Sequence, residues 1–232
     1  MQPLVIIPAR GGSKGVPRKN IKLLNGKPLI YYTIEEARLI FDDKKIIVST
    51  EDNEIKEIVE KIGLKVPFLR PLNLATDKTS TYEVLLDTIK QVEKSGYVPD
   101  TIILLQPTSP FRSSVHIQSA LKMYENNSDV DMVTSVKETK ANPYYSLYEE
   151  DKKGYLNKSK NANFTRRQDC PKVWELNGAI YIINKKSLLE KPINLFSKII
   201  KYEMDYKSSI DIDTELDFEF AAFLLQTKKC NK

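Results

Sequence analysis

Short apolar runs alternate with segments of helical period along most of this chain, and that alternation limits what it can fold into. Residues 4–7, 45–49, 101–105, 131–136 and 179–183 are rich in β-branched side chains and bounded by turn formers, the pattern of strands buried on both faces. Between them, Pro28 opens a segment with Leu29, Ile30, Ile34 and Ala37 on one helical face. Residues 53–62 repeat Ile55, Ile58, Val59 and Ile62 at the same period, and residues 79–92 and 113–124 behave likewise. Strands alternating with helices predict an α/β fold with a mostly parallel sheet, helices on both faces, and ligands at the carboxyl ends of the strands. The 232 residues suffice for one such domain, spanning 1–232.

Hydrophobic residues at 41% and charged residues at 29% are those of an ordinary water-soluble domain. The net charge of +5 comes from lysines spread along the chain rather than from one basic block, so nucleic acid is not indicated. Cys170 and Cys230 lack metal-ligand spacing and give no disulfide framework, which fits a reducing cytoplasm. No run has signal-peptide or membrane-spanning length.

The strand at residues 4–7 runs straight into IPARGGSKGVPRKN, residues 7–20, a glycine-rich loop carrying Arg10, Ser13, Lys14, Arg18 and Lys19. Gly11, Gly12 and Gly15 are expected to take positive φ and let peptide N–H groups and cations converge on one anion. The loop is neither a Walker A motif, which closes on Gly-Lys-Ser/Thr, nor a dinucleotide fingerprint, whose third glycine is missing. Without that fingerprint, Glu51 and Asp52 after the second strand do not make an oxidoreductase. On these residues alone, a solvated basic turn remains the alternative to a polyphosphate cradle.

Three further segments carry candidate site residues. In SIDIDTELD, residues 209–217, Asp211 and Asp213 project to the same side if the backbone is extended, which suits Mg²⁺ shared with phosphate oxygens. The alternative is that Asp213 or Thr214 caps the C-terminal helix. LLQPTSPFR, residues 104–112, puts Gln106, Thr108 and Ser109 on a rigid turn, or merely starts a helix capped by Ser113 or Ser114. Arg166, Arg167 and Gln168 precede another strand, and an arginine can fork a carboxylate. His116, the one histidine, lies in a predicted helix without a nucleophile motif and is read as a surface residue. Residues 139–169 break the alternation. They form a polar excursion with Tyr144, Tyr145, Tyr148 and Tyr155, read as an ordered lid or interaction arm, with a disordered loop as the alternative.

Taken in order, IPARGGSKG with Lys19-Asn20, VPFLRP, LATDKTST, LLQPTSPFR, RRQ with LNGAIYI, and SIDIDTELD resemble the acylneuraminate cytidylyltransferases over nearly the whole chain. The resemblance implies a nucleotide-diphospho-sugar transferase-like fold, Mg²⁺ dependence, and a homodimer formed through a small arm at residues 139–169. The implied reaction joins CTP to a nonulosonic acid, N-acetylneuraminic acid or its deaminated form, giving the CMP-sugar and pyrophosphate. CMP-legionaminic acid or CMP-Kdo synthesis is the alternative within that chemistry. A catalytically silent nucleotide or sugar sensor is the alternative outside it.

The resemblance also implies roles. Arg10, Ser13, Lys14 and Lys19 would hold the phosphates, with Lys19 beside the reacting phosphorus, and Asn20, Arg70, Ser80 and Thr81 would hold the cytidine. Gln106, Arg167 and Gln168 would hold the sugar acid, while Tyr181, Leu195 and Phe196 would wall its C5 substituent. Asp211 and Asp213 would bind the metal. Glu175 and Leu195 depart from residues found in some sialic acid enzymes, which leaves the identity of the sugar open.

Overall fold

β1 (Pro3–Pro8) is apolar without alternation because it lies inside the sheet with both faces covered. A small ribbon, β2 (Leu23–Leu24) with β3 (Lys27–Pro28), leads into α1 (Leu29–Arg38). β4 (Ile46–Ser49), α2 (Asn53–Lys61), α3 (Thr81–Lys94), β5 (Thr101–Leu104), α4 (Ser114–Glu125) and β6 (Met132–Glu138) continue the alternation. An excursion carries a hairpin, β7 (Tyr148–Glu150) with β8 (Leu156–Lys158), before β9 (Trp174–Asn184), α5 (Lys185–Glu190), β10 (Ile199–Glu203) and α6 (Glu215–Cys230). This computed structural model describes residues 1–127 and 129–230, with side chains of the last helix through Thr227, so the Cys230 side chain lies outside the described residues.

The main sheet has six strands in the order β10-β6-β9-β5-β1-β4. β1 pairs in parallel with both β4 and β5, and β10 with β6, whereas β9 runs antiparallel between β5 and β6. Alternate side chains of each strand enter different cores, as the pleat requires. Val5, Ile7, Val48 and Ile103 meet α1, α2 and α4 through Ile30, Ile34, Ile55, Val59 and Ile117. Leu4, Ile6, Ile47, Ile102 and Leu104 meet α3 and α5 through Leu85, Ile89, Val92 and Leu188. Helices therefore cover both faces, as the sequence pattern predicts. A third cluster joins Val16 of the glycine-rich loop to Leu24, Phe111, Ile212 and Phe218, and fastens the loop against α6.

The excursion, expected at about residues 139–169, returns to the sheet at Trp174. Within it, the rings of Tyr144 and Phe164 meet edge to face with centroids 6.1 Å apart, and the Asn142 amide donates to the Pro171 carbonyl at 2.9 Å. Leu147, Tyr148, Tyr155 and Leu156 remain exposed on its outer side. No helix among the described residues is long and apolar enough to cross a membrane.

Candidate active site

Three neighbouring parallel strands deliver the site at one carboxyl edge. β1 leads into the glycine-rich loop, β4 into Glu51 and Asp52, and β5 into Gln106. Between them opens a cavity of about 380 Å³, whose wall includes Arg10, Ser13, Lys14, Lys19, Asn20, Arg70, Asp77, Thr81, Gln106, Thr108 and Asp213. A larger hollow of about 660 Å³ lies at the opposite edge, beside Met1, Asp100 and Asn184, away from the loop.

The loop owes its shape to close approach, not to left-handed glycines. The expectation of positive φ at Gly11, Gly12 and Gly15 is corrected: the left-handed residues of this region are Arg18, with φ 54°, Asn25, with φ 50°, and Gly26, with φ 82°. A Cβ on Gly15 would run into the Asp213 carbonyl oxygen, and one on Gly11 into the Asp52 carboxylate; at Gly12 it would meet nothing. Two of the loop's amides are also turned inward, Gly11 N–H onto Glu51 at 2.7 Å and Ser13 N–H onto the Gly11 carbonyl at 3.1 Å.

The contact at Gly15 brings the loop against the segment that carries the two aspartates. Lys19, on a single 3-10 turn, donates through Nζ to the Ile212 carbonyl at 2.6 Å and to Asp213 Oδ1 at 3.1 Å. The Asn20 amide donates to the Arg10 carbonyl at 2.9 Å, so this buried residue steadies the loop as well as lining the cavity. Arg10 and Lys14 both reach Asp77, at 2.8 and 2.7 Å. The Lys14 and then the Arg10 contact hold the Asp77 carboxyl below its ordinary pKa. An incoming anion must compete with that carboxylate for the same two cations.

Ile212 is buried in the third cluster, while its neighbours Asp211 and Asp213 lie half-buried and exposed. Burial pushes the Asp211 carboxyl pKa up; a hydrogen bond with Thr108 opposes the shift, and the charge of Asp213 adds to it. Asp211 Oδ1 is buried without a partner, an orphaned oxygen of the kind a hard cation satisfies. Among the described residues no group of three or more His, Cys, Asp or Glu is placed to hold a metal ion. A divalent ion here would therefore rely on two carboxylates and on phosphate oxygens of a ligand, which is the set Mg²⁺ favours. Thr214, not Asp213, caps α6: Thr214 Oγ1 accepts the Asp217 N–H at 3.2 Å and Asp217 Oδ2 accepts the Thr214 N–H at 2.8 Å.

Ser80 caps α3 in a reciprocal box with Glu83, next to Thr81 on the cavity wall. Arg167 and Gln168 sit exposed on a 3-10 turn at the end of the excursion and are not part of that wall. Tyr181 packs on the same core cluster as the buried Phe196, whereas Leu195 is 60% exposed. Burial, and then the Asp211 charge, raise the Tyr181 pKa. His116 is half-buried, and its Nδ1 accepts the Ser113 N–H at 3.2 Å to close the cap of α4.

Three residues near the site have roles that sequence reasoning misses. Glu51 and Asp77 pair with arginine and lysine far away in sequence, so no local signal marks them. Arg112, fully buried, donates to the Gln106 carbonyl at 3.0 Å, the Ala179 carbonyl at 2.9 Å and Thr33 Oγ1 at 2.6 Å, fixing the turn that bears Gln106. Burial lowers its pKa to about 9, which still leaves it cationic at neutral pH. Its only advance signal is an arginine closing a proline-punctuated turn.

Asp52 holds the loop from outside the cavity. It accepts the Glu54 and Ile55 N–H groups at 2.9 and 3.0 Å as the cap of α2, and Arg18 donates to both its oxygens. The Arg18 hydrogen bond leads the causes that lower its pKa. A depressed folded pKa means stabilisation that is complete above the unfolded carboxylate value and fades as pH falls through the folded one. Asp52→Ala is expected to cost about 1–2 kcal/mol at pH 7, from the lost cap and ion pair. The gap from wild type should narrow near pH 3 in urea unfolding; a gap that does not change between the two pH values would contradict this account.

An α/β sheet with a cationic loop and an acid pair at its carboxyl edge defines the site of a nucleotide-using transferase. The chain belongs to the cytidylyltransferase family, whose model matches residues 4–230, and it is a nucleotidyltransferase. The "Post-translational flagellin modification protein B" of Campylobacter coli is 36% identical over 226 residues, covering 97% of this chain and 95% of that protein. The N-acylneuraminate cytidylyltransferase of Streptococcus agalactiae serotype V is 39% identical over 223 residues, covering 94% of this chain and 52% of that protein, so the chain spans about half its length. The CMP-N,N'-diacetyllegionaminic acid synthase of Campylobacter jejuni is 36% identical, covering 97% of this chain and 95% of that protein. Among solved structures, a CMP:2-keto-3-deoxy-manno-octonic acid synthetase complexed with CTP superposes with a TM-score of 0.74 at 18% identity, covering 98% of this chain and 100% of that one. That likeness establishes the shared fold.

Proposed function

We propose that the protein activates a nonulosonic acid, N-acetylneuraminic acid or its deaminated form, by transferring CMP from CTP with release of pyrophosphate. The observation that carries this reading is the cavity at the carboxyl ends of β5, β1 and β4, where Arg10, Lys14 and Lys19 face Asp213 and Gln106 in a chain of cytidylyltransferase family. The anomeric oxygen bonds to the α-phosphorus and gives its proton to solvent, while the bond to pyrophosphate breaks and pyrophosphate leaves. Such a reaction needs positioning and charge neutralisation rather than a covalent nucleophile. Arg10, Ser13, Lys14 and Lys19 serve the phosphates; Asn20, Arg70, Ser80 and Thr81 serve the cytidine; Gln106 serves the sugar acid from the cavity wall and Arg167 and Gln168 from the exposed turn outside it, with Tyr181, Leu195 and Phe196 beside its C5 group. Asp211 and Asp213 would hold Mg²⁺, which supplies charge neutralisation at the phosphate oxygens. We place this activity in the cytoplasm.

Near-complete mutual coverage with the Campylobacter legionaminic acid synthase supports a second reading, in which the acceptor is a diacetylated legionaminic acid. Pyrophosphate release from purified protein, CTP, Mg²⁺ and a panel of nonulosonic acids separates the two by kcat/KM. UTP is expected to react poorly, because a pocket that pairs the cytosine amine leaves polar groups unmatched against uracil. Equal kcat/KM for CTP and UTP would remove the cytidine assignment. The exposed Tyr148, Tyr155 and Leu156 on the excursion suit a second copy of this chain as partner. Deleting residues 144–160 is expected to give a monomer by light scattering, and a persisting dimer would exclude the arm.

A further inference from the structure

Glu51 sits where a carboxylate has the wrong sign for a polyphosphate site. It stands two residues past the end of β4, its side chain is only 11% exposed, and both its oxygens are engaged. Oε1 accepts the Gly11 N–H at 2.7 Å, and Oε2 accepts from Arg70 Nη2 at 2.6 Å. Arg70 is buried deeper still, with 3% of its side chain exposed, and its backbone N–H donates to the Thr50 carbonyl at 2.8 Å, which brings the two side chains side by side. Arg70 lines the cavity, yet its Nε has no partner. One carboxylate thus ties together the loop after β1, the end of β4 and the segment of Arg70.

We propose that Glu51 is the positioning residue that sets the Arg70 guanidinium at a fixed distance from the phosphate loop, and so couples the base end of the nucleotide site to its phosphate end. The inference rests on the reading of this cavity as a CTP site. Its physical basis is that the pair is internally neutral. Arg70 keeps a buried counter-charge and presents oriented donors instead of a loose cation, and the carboxylate, with each oxygen engaged and its charge offset by Arg70, repels phosphate less. Neighbouring Asp52 acts on the same loop from outside, on Arg18 and in the space a Gly11 Cβ would need. The loop is thus fastened to the end of β4 at two consecutive residues.

Glu51→Gln tests this, because the amide has one acceptor oxygen for two donors and no charge for Arg70. The expected result is a rise of about tenfold in the CTP Kd and KM, the weight of one charge-assisted hydrogen bond. The KM for the sugar acid should stay unchanged and kcat should fall far less than KM rises. A residue that only holds the fold together would not produce that split. In an Arg70→Met background the Glu51→Gln loss of CTP binding should vanish or reverse, since the group through which Glu51 acts is gone and the carboxylate left unpaired would itself repel phosphate. Glu51→Asp keeps the charge but is too short to reach both donors, so it should bind CTP weakly as well, and it serves as the test should Glu51→Gln fail to fold. Wild-type CTP affinity in either folded variant, or effects of Glu51→Gln and Arg70→Met that simply add, would overturn the role. If wild-type protein itself does not bind CTP, both this role and the proposed function fall, whereas wild-type binding with an unaffected variant removes Glu51 alone.

Discussion

Lys19→Ala is expected to lower turnover about a hundredfold, the roughly 3 kcal/mol commonly lost with one preorganised charge contact, while leaving the fold intact. Its Nζ is held between the Ile212 carbonyl and Asp213, with the side chain 12% exposed, so its position is set before any ligand arrives. The fold should survive because its charged partner Asp213 is 73% exposed, and no buried carboxylate is stranded when the cation leaves. Asp213→Asn should fall by a similar factor if Asp213 shares a metal with Asp211. Steady-state pyrophosphate release, read beside circular dichroism, measures both. A correctly folded Asp213→Asn protein of near wild-type turnover would end the metal assignment.

Arg112→Leu is the counterpart on stability. The guanidinium sits wholly inside the protein with two carbonyls and a hydroxyl as acceptors and makes no ion pair among the described residues. Leucine would leave those acceptors dry. It would also remove a buried charge whose desolvation opposes folding, so the net loss is expected to be about 3 kcal/mol, less than the three bonds taken singly. For a domain of this size that lowers Tm by about 6–12 °C. Because Arg112 fixes the Gln106 carbonyl, the KM for the sugar acid should rise as well. An unchanged Tm would mean that apolar packing replaces the cation without loss.

The sheet was legible wherever burial on both faces forces an unbroken apolar run, as in β1, β4 and β5. It was not legible in β10, whose edge position leaves alternate residues exposed, nor in the first half of β9, where Glu175 and Leu176 face outward. α5, at six residues, is too short to show a period. In the site, the residues on the loop and at the strand ends could be read because they adjoin an apolar run. Glu51 with Arg70, and Asp77 with Arg10, could not, since their meaning lies in pairs that only the fold brings together. The glycines were found, but for the wrong reason: Gly15 is there because the Asp213 backbone leaves no room for a Cβ.

The reversed direction of β9 has a topological consequence. Because β9 runs against β6, the chain leaves the sheet at Glu138 and re-enters at Trp174, residues that face each other in register, and Thr139 N–H donates to the Val173 carbonyl at 3.1 Å. The intervening stretch is therefore a hairpin insertion whose ends are already closed, rooted at the carboxyl edge. A parallel β9 would have required a crossover to the far edge, with a minimum length and a fixed hand. Closing a longer insertion adds only about 0.6 kcal/mol per doubling of its length. This border of the sheet can thus exchange, lengthen or shorten its appendage with little effect on the strands, while the crossovers that build the nucleotide half cannot.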